Sequence, residues 1–204
     1  MDQKKHFLEI FKLAERKYGK IEKRLAGEDW KESWQTLIAT IMSAQSRDET
    51  TIPIAENLFE KYKTLDELAN SKYADVLFIF KSLNYNKTKT KNIIACAKIL
   101  LNDFNGKVPN NLEDLMKLPG VGRKTANLVL SEIHKVDTIT VDTHVHRISN
   151  VLGFVNTKNP SETEIELIKI VPKKYWSRIN RLFVLWGKQV SGRDKHKLLK
   201  VLKQ

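Results

Sequence analysis

The stretch LMKLPGVGRKTANLVL, Leu115 to Leu130, sets two glycines, a proline and two adjacent cations inside an otherwise helical apolar pattern. Pro119 cannot continue a helix, while Gly120 and Gly122 permit left-handed backbone angles and leave their amides uncovered by side chains. A restart at Arg123 then predicts a tight hairpin whose bare N–H groups stand beside a helix N-terminus. Groups arranged in this way bind anions, phosphate above all, and Arg123 and Lys124 add charge beside them. Further along, Asp142 precedes apolar residues at helical spacing, Val145, Ile148, Val151 and Leu152. That places its carboxylate at a helix N-cap, where it can accept backbone N–H bonds.

The elements that must position these residues are helices. Apolar residues recur at three- and four-residue spacing along most of the chain, and sustained period-two alternation is nearly absent, so the fold class is all-α. Helix starts are expected at capping boxes, Thr64 with Glu67 and Ser161 with Glu164. Gly106 and Pro109 separate a helix carrying Cys96 from one starting near Leu112. The one candidate extended piece is VDTITV, Val136 to Val141.

The 204 residues can bury one generous core or two small ones, and the formal charge of +12 is spread along the whole chain. A folded protein of this balance favours a polyanionic partner, nucleic acid first. No segment has the length of a signal peptide or a membrane span, so an intracellular location, cytoplasm or nucleoid, is expected, with no membrane partner. The single Cys96 excludes an intramolecular disulfide and a multi-cysteine metal site.

LPGVGRKTANLVL followed by VDTHVHRISNVLG closely resembles the endonuclease III family of helix-hairpin-helix DNA glycosylases. The resemblance runs from about Trp34 to Gly187 and includes LIATIMSAQSRDETT, which is similar to the family's Ser-Ala-Gln segment. It implies two helical lobes with a DNA-binding cleft between them. Residues 26–135 would form a helical barrel ending in the hairpin, and residues 1–25 and 136–204 the second domain.

The resemblance makes Lys124 the nucleophile and Asp142 the essential carboxylate of base excision at damaged, oxidised pyrimidines in duplex DNA. Breaking an N-glycosidic bond builds positive charge on the sugar, which a carboxylate stabilises. An amine attacking C1′ leaves a Schiff base, whose electron-withdrawing character permits β-elimination and strand cleavage. A lysine that is partly buried at a helix N-terminus has its ammonium form disfavoured, while a carboxylate beside it favours that form. The target nucleotide must leave the stack. The family fills the gap with a glutamine, here Gln45, and with a second wedge. The latter maps to Tyr85 when Lys89 is aligned with the family's following lysine, or to Leu83 after a small shift. DNA contacts are thus implied for Gln45, Tyr85 and Lys89 and, in the hairpin, for Gly120, Val121, Gly122, Arg123 and Thr125. Asp48 and His144 would line the base pocket.

Family members usually end in four cysteines that hold an iron–sulfur cluster. This chain reads SGRDKHKLLKVLKQ there, so no metal and no cofactor is expected, and Lys188, Arg193, Lys195, Lys197, Lys200 and Lys203 are candidates for the lost phosphate contacts. A monomer is the simplest expectation. A uracil or thymine mismatch glycosylase shares the implied fold, and a non-catalytic DNA-binding protein is the rival from another class. Lys124 argues against the first, and the pair Lys124 and Asp142 against the second.

Overall fold

The computed structural model describes residues 2–203, which form α1 (Gln3–Tyr18), α2 (Ser33–Ser43), α3 (Asp48–Lys61), α4 (Leu65–Ala69), α5 (Tyr73–Ile79), α6 (Asn86–Phe104), α7 (Leu112–Lys117), α8 (Arg123–His134), α9 (Thr143–Val151), α10 (Pro160–Ile170), a 3-10 turn (Lys173–Tyr175), α11 (Trp176–Gln189) and α12 (Lys195–Leu202). Among the described residues there is no strand. The chain divides into two compact units, one spanning Arg24–Val136 and the other made from the sequence on either side.

The middle unit is organised around α2, whose sequence SWQTLIATIMS is apolar on nearly every face. A helix of that kind is driven to the centre of its domain, and Leu37, Ile38, Ala39 and Met42 are fully buried. Leu58, Leu68, Val76, Phe80, Ile93 and Leu115 close around it. Cys96 belongs to the same core, and burial pushes its thiol up to about 12, so it is an inert apolar side chain. The second unit packs α1 and α9 on α11. Its centre is aromatic: Phe7 meets Phe154 edge-on at 5.1 Å between ring centroids, and Phe183 meets Trp186 at 5.5 Å.

Local signals set most helix ends. The Thr64 hydroxyl accepts from Glu67 N–H at 3.1 Å and the Glu67 carboxylate accepts from Thr64 N–H at 3.1 Å, the reciprocal box expected there. The expected Ser161–Glu164 box does not form. Asn159 is the N-cap, its Oδ1 accepting from Glu162 N–H at 3.0 Å, and Pro160 opens the helix two residues earlier. Proline lacks the N–H that a first helical position leaves unpaired anyway, so Asn-Pro outcompetes the later serine. The Val136 to Val141 stretch pairs with no strand. Ile139 and Val141 are buried, and the Thr140 carbonyl accepts instead from the Asn180 side-chain amide on α11 at 3.2 Å. One buried amide thus satisfies a backbone group that a ladder would otherwise have to pair.

Candidate active site

In the middle unit the hairpin turns at Gly120, whose φ is +83°. A Cβ there would also stand 2.9 Å from Ile41 Cγ2 on α2 and 3.2 Å from Asn92 on α6, so both conformation and packing require glycine. Gly122 differs: a Cβ on it would meet nothing within 4 Å, and it is the N-cap of α8 without any side-chain cap. The first turn of α8 therefore carries no side-chain cap on its N–H groups, as an anion site needs. Arg123 and Lys124 are exposed beside it, whereas Val121 and Thr125 are buried and can reach an anion only through their backbone. The partial burial expected for Lys124 is absent. Its neighbours Thr125 and Ala126 take the core-facing side of the helix, which leaves Lys124 on the open one.

The same unit carries Gln45 and Tyr85. Both are exposed and both have left-handed backbone angles, φ 54° and 56°. Such angles cost a non-glycine residue about 1 kcal/mol, and they persist only where the surroundings hold them. The holding contacts are present: Asn84 Nδ2 donates to the Gln45 carbonyl at 2.7 Å, and Lys89 Nζ donates to Ser46 Oγ at 2.8 Å. Of the two residues offered by the alternative wedge alignments, Leu83 is 4% exposed and lies in the core whereas Tyr85 is 65% exposed. Lys89 is 5% exposed and does not present a charge to solvent. The Asp48 carboxylate accepts from the Ala26 N–H at 3.1 Å, which ties α3 to the start of the unit.

Burial holds the Lys89 amine down to about 8, below the ordinary 10.5. Between those values the unfolded chain binds more protons than the folded one, so this residue's contribution to stability rises with pH through that window. The wild type is expected to gain about 2 kcal/mol over a Lys89→Met variant between about pH 7 and pH 10. Paired denaturant titrations at the two pH values measure it; a pH-independent difference would place the amine in solvent.

In the other unit Asp142 caps α9. Its Oδ1 accepts from the N–H groups of His144 at 2.9 Å and Val145 at 2.8 Å, so one oxygen fixes the carboxylate and Oδ2 is not used by the cap. The helix it caps is locked to α11 at two points. Arg147 donates to the carbonyls of Gly187 at 3.1 Å and Val190 at 2.9 Å, and also to that of Gly192. The His144 ring lies so close to α11 that a Cβ on Gly187 would stand 2.8 Å from its Cγ and 2.9 Å from its Cβ. His144 thus presses on a helix backbone as well as following the cap. Gly187→Ala should therefore lower stability by about 1–3 kcal/mol, against the roughly 1 kcal/mol gain that helix propensity alone predicts. A thermal melt decides the sign.

An iron–sulfur cluster needs four thiolates. The chain has one cysteine, buried in α6, and no group of three or more His, Cys, Asp or Glu among the described residues could hold a metal ion. The residues present do not fit the cluster. The segment after α11 is held by Arg147, and α12 buries Leu198 and Leu202 while Lys195, Lys197 and Lys200 remain exposed. Nothing in the sequence marked Arg147 for this duty; the carbonyls it binds lie some forty residues away.

Residues 38–173 match the HhH-GPD superfamily of base excision DNA repair proteins. Endonuclease III of Thermotoga maritima is 44% identical over 157 residues, 77% of this chain and 74% of the relative. The chain belongs to the endonuclease III family. A solved trapped endonuclease III–DNA covalent intermediate is 32% identical, with a TM-score of 0.86 over 93% of this chain and 88% of that one. A thermostable thymine-DNA glycosylase, 17% identical with a TM-score of 0.78 over 94% of this chain and 90% of that one, shares the fold. As a member of the endonuclease III family this protein is a base-excision DNA repair enzyme, a DNA glycosylase and abasic-site lyase. No helix among its described residues is long and apolar enough to cross a membrane.

Proposed function

We propose that the enzyme excises oxidised pyrimidines from duplex DNA and then cleaves the strand, with Lys124 as nucleophile and Asp142 as the charge-stabilising carboxylate. The observation that carries this reading is Lys124 itself, an exposed amine in the first turn of an uncapped helix that follows a glycine hairpin. Phosphate held by the N–H groups of that turn and by the Arg123 guanidinium would fix the strand beside the amine.

The amine forms a bond to C1′ as the bond from C1′ to the base breaks, and the base departs with a proton. Opening of the sugar ring gives a Schiff base. Loss of the C2′ proton then supplies the electron pair that expels the 3′ phosphate, and water releases Lys124. Asp142 stabilises the positive charge that gathers on the sugar, its Oδ1 already held by two N–H groups. Gln45 and Tyr85 enter the vacated stack. The protein acts inside the cell as a monomer, without a bound cofactor, and the exposed lysines of α12 add phosphate contacts.

Single-turnover base release from duplexes carrying an oxidised pyrimidine, uracil opposite guanine, or thymine opposite guanine tests the substrate class. The first should exceed both others by about tenfold or more. A preference for uracil or thymine would favour the mismatch reading, for which a fold shared at 17% identity is no support.

A further inference from the structure

The lysine four residues after Tyr85 has no exposed charge to offer a phosphate. It is buried, it stands on the helix that Tyr85 caps, and its amine reaches 43 residues back along the sequence to Ser46, next to Gln45. Its own N–H donates to the Tyr85 carbonyl at 2.9 Å, so one residue is bonded to both exposed turns. Asn84 closes the remaining side through its 2.7 Å bond to the Gln45 carbonyl. The result is a ring, Gln45 to Ser46, Ser46 to Lys89, Lys89 to Tyr85, and through Asn84 back to Gln45.

We propose that Lys89 is a positioning residue for nucleotide extrusion, its amine locking the Gln45 and Tyr85 turns into one preformed double wedge. The inference rests on the reading of Gln45 and Tyr85 as the groups that fill the stack. A wedge made of two independent turns would have to be ordered on the DNA, and that ordering would be lost from the binding energy available for unstacking. Cross-linking the turns beforehand removes the loss. A hydroxyl is a sufficient partner for the amine because the contact has only to fix the turn. Partial burial limits competition from water at this contact, and the lowered pKa of the amine agrees with it.

The test uses full-length wild type, Lys89→Met and Ser46→Ala, each first shown by melting to be folded. Two substrates carry the same oxidised pyrimidine, one in a fully paired duplex and one in a single strand, where no extrusion is needed. Both variants should lose about 10- to 100-fold in single-turnover base release on the duplex and less than about 3-fold on the single strand. In parallel, 2-aminopurine fluorescence beside an uncleavable abasic-site analogue reads unstacking without chemistry; it should rise with wild type and fail to rise with either variant at saturating protein. Equal losses on both substrates, or unchanged duplex rates with an undiminished fluorescence rise, would overturn the lock. So would a fall of about one in the salt slope of binding for Lys89→Met, which would make the lysine a phosphate contact. If wild type unstacks the duplex and both variants do not, yet no oxidised pyrimidine is released, the lock stands and the substrate reading falls. Should Lys89→Met fail to fold, Ser46→Ala alone decides, because the lock needs the hydroxyl as much as the amine.

Discussion

Lys124→Gln is expected to abolish the covalent protein–DNA adduct that borohydride traps on a duplex with an oxidised pyrimidine or an abasic site. Strand cleavage should disappear with it, and base release should fall by about 10³-fold or more, some 4 kcal/mol of transition-state stabilisation. Glutamine keeps the length and polarity of lysine but has no basic amine to form the bond to C1′. The residue is exposed in the first turn of α8, and the neighbours that bury the helix are Thr125, Ala126 and Val129. Stability should therefore stay within about 0.5 kcal/mol, and duplex binding should weaken only by one phosphate-range charge. That separation makes the result informative: an adduct that survives the substitution would assign the nucleophile to another amine, and a loss accompanied by a lowered melting temperature would be a folding effect. Wild-type protein that releases base yet gives no adduct would sink the lyase mechanism itself.

Asp142→Asn should separate the two duties of one side chain. Asn caps helices as well as Asp does, so the N–H groups of His144 and Val145 keep an acceptor at Oδ1 and α9 stays in place. The charge is lost, and with it the stabilisation of the positive sugar. Base release is expected to drop about 10²- to 10³-fold with the melting temperature nearly unchanged. Strand cleavage at a preformed abasic site should suffer less, since no base has to depart. Asp142→Ala removes the cap as well and should lower stability by about 1 kcal/mol. Base release by the asparagine variant at the wild-type rate would reduce Asp142 to a cap. A series of variants in which activity merely tracks stability would lead to the same conclusion.

The local geometry around Lys124 and Asp142 was legible in the chain to the extent that it depends on neighbouring residues. Pro119 and Gly120 break a helix, Gly122 reopens it without a cap, and Asp142 caps the next, because backbone angles and N–H satisfaction are settled within three or four residues. The Thr64 box held for that reason. The Ser161 box failed within the same range, because a stronger local signal, Asn159 with Pro160, stood two residues away. The roles of Lys124 and Asp142 were implied by resemblance to the endonuclease III family, since one lysine among many carries no local mark of a nucleophile.

Tertiary structure decided what depends on partners far along the sequence. Spacing could not say which of Leu83 and Tyr85 faces solvent; the core did, by burying Leu83. Resemblance made Lys89 a DNA contact and nothing in the sequence singled out Arg147, yet one is buried against Ser46 and the other holds the carbonyls that end α11. The Val136 to Val141 stretch had the composition of a strand, and an amide from α11 took the place of the neighbour it lacked. A residue's conformational preference is written in itself and its nearest neighbours, whereas its burial and its hydrogen-bond partner exist only after distant segments have met.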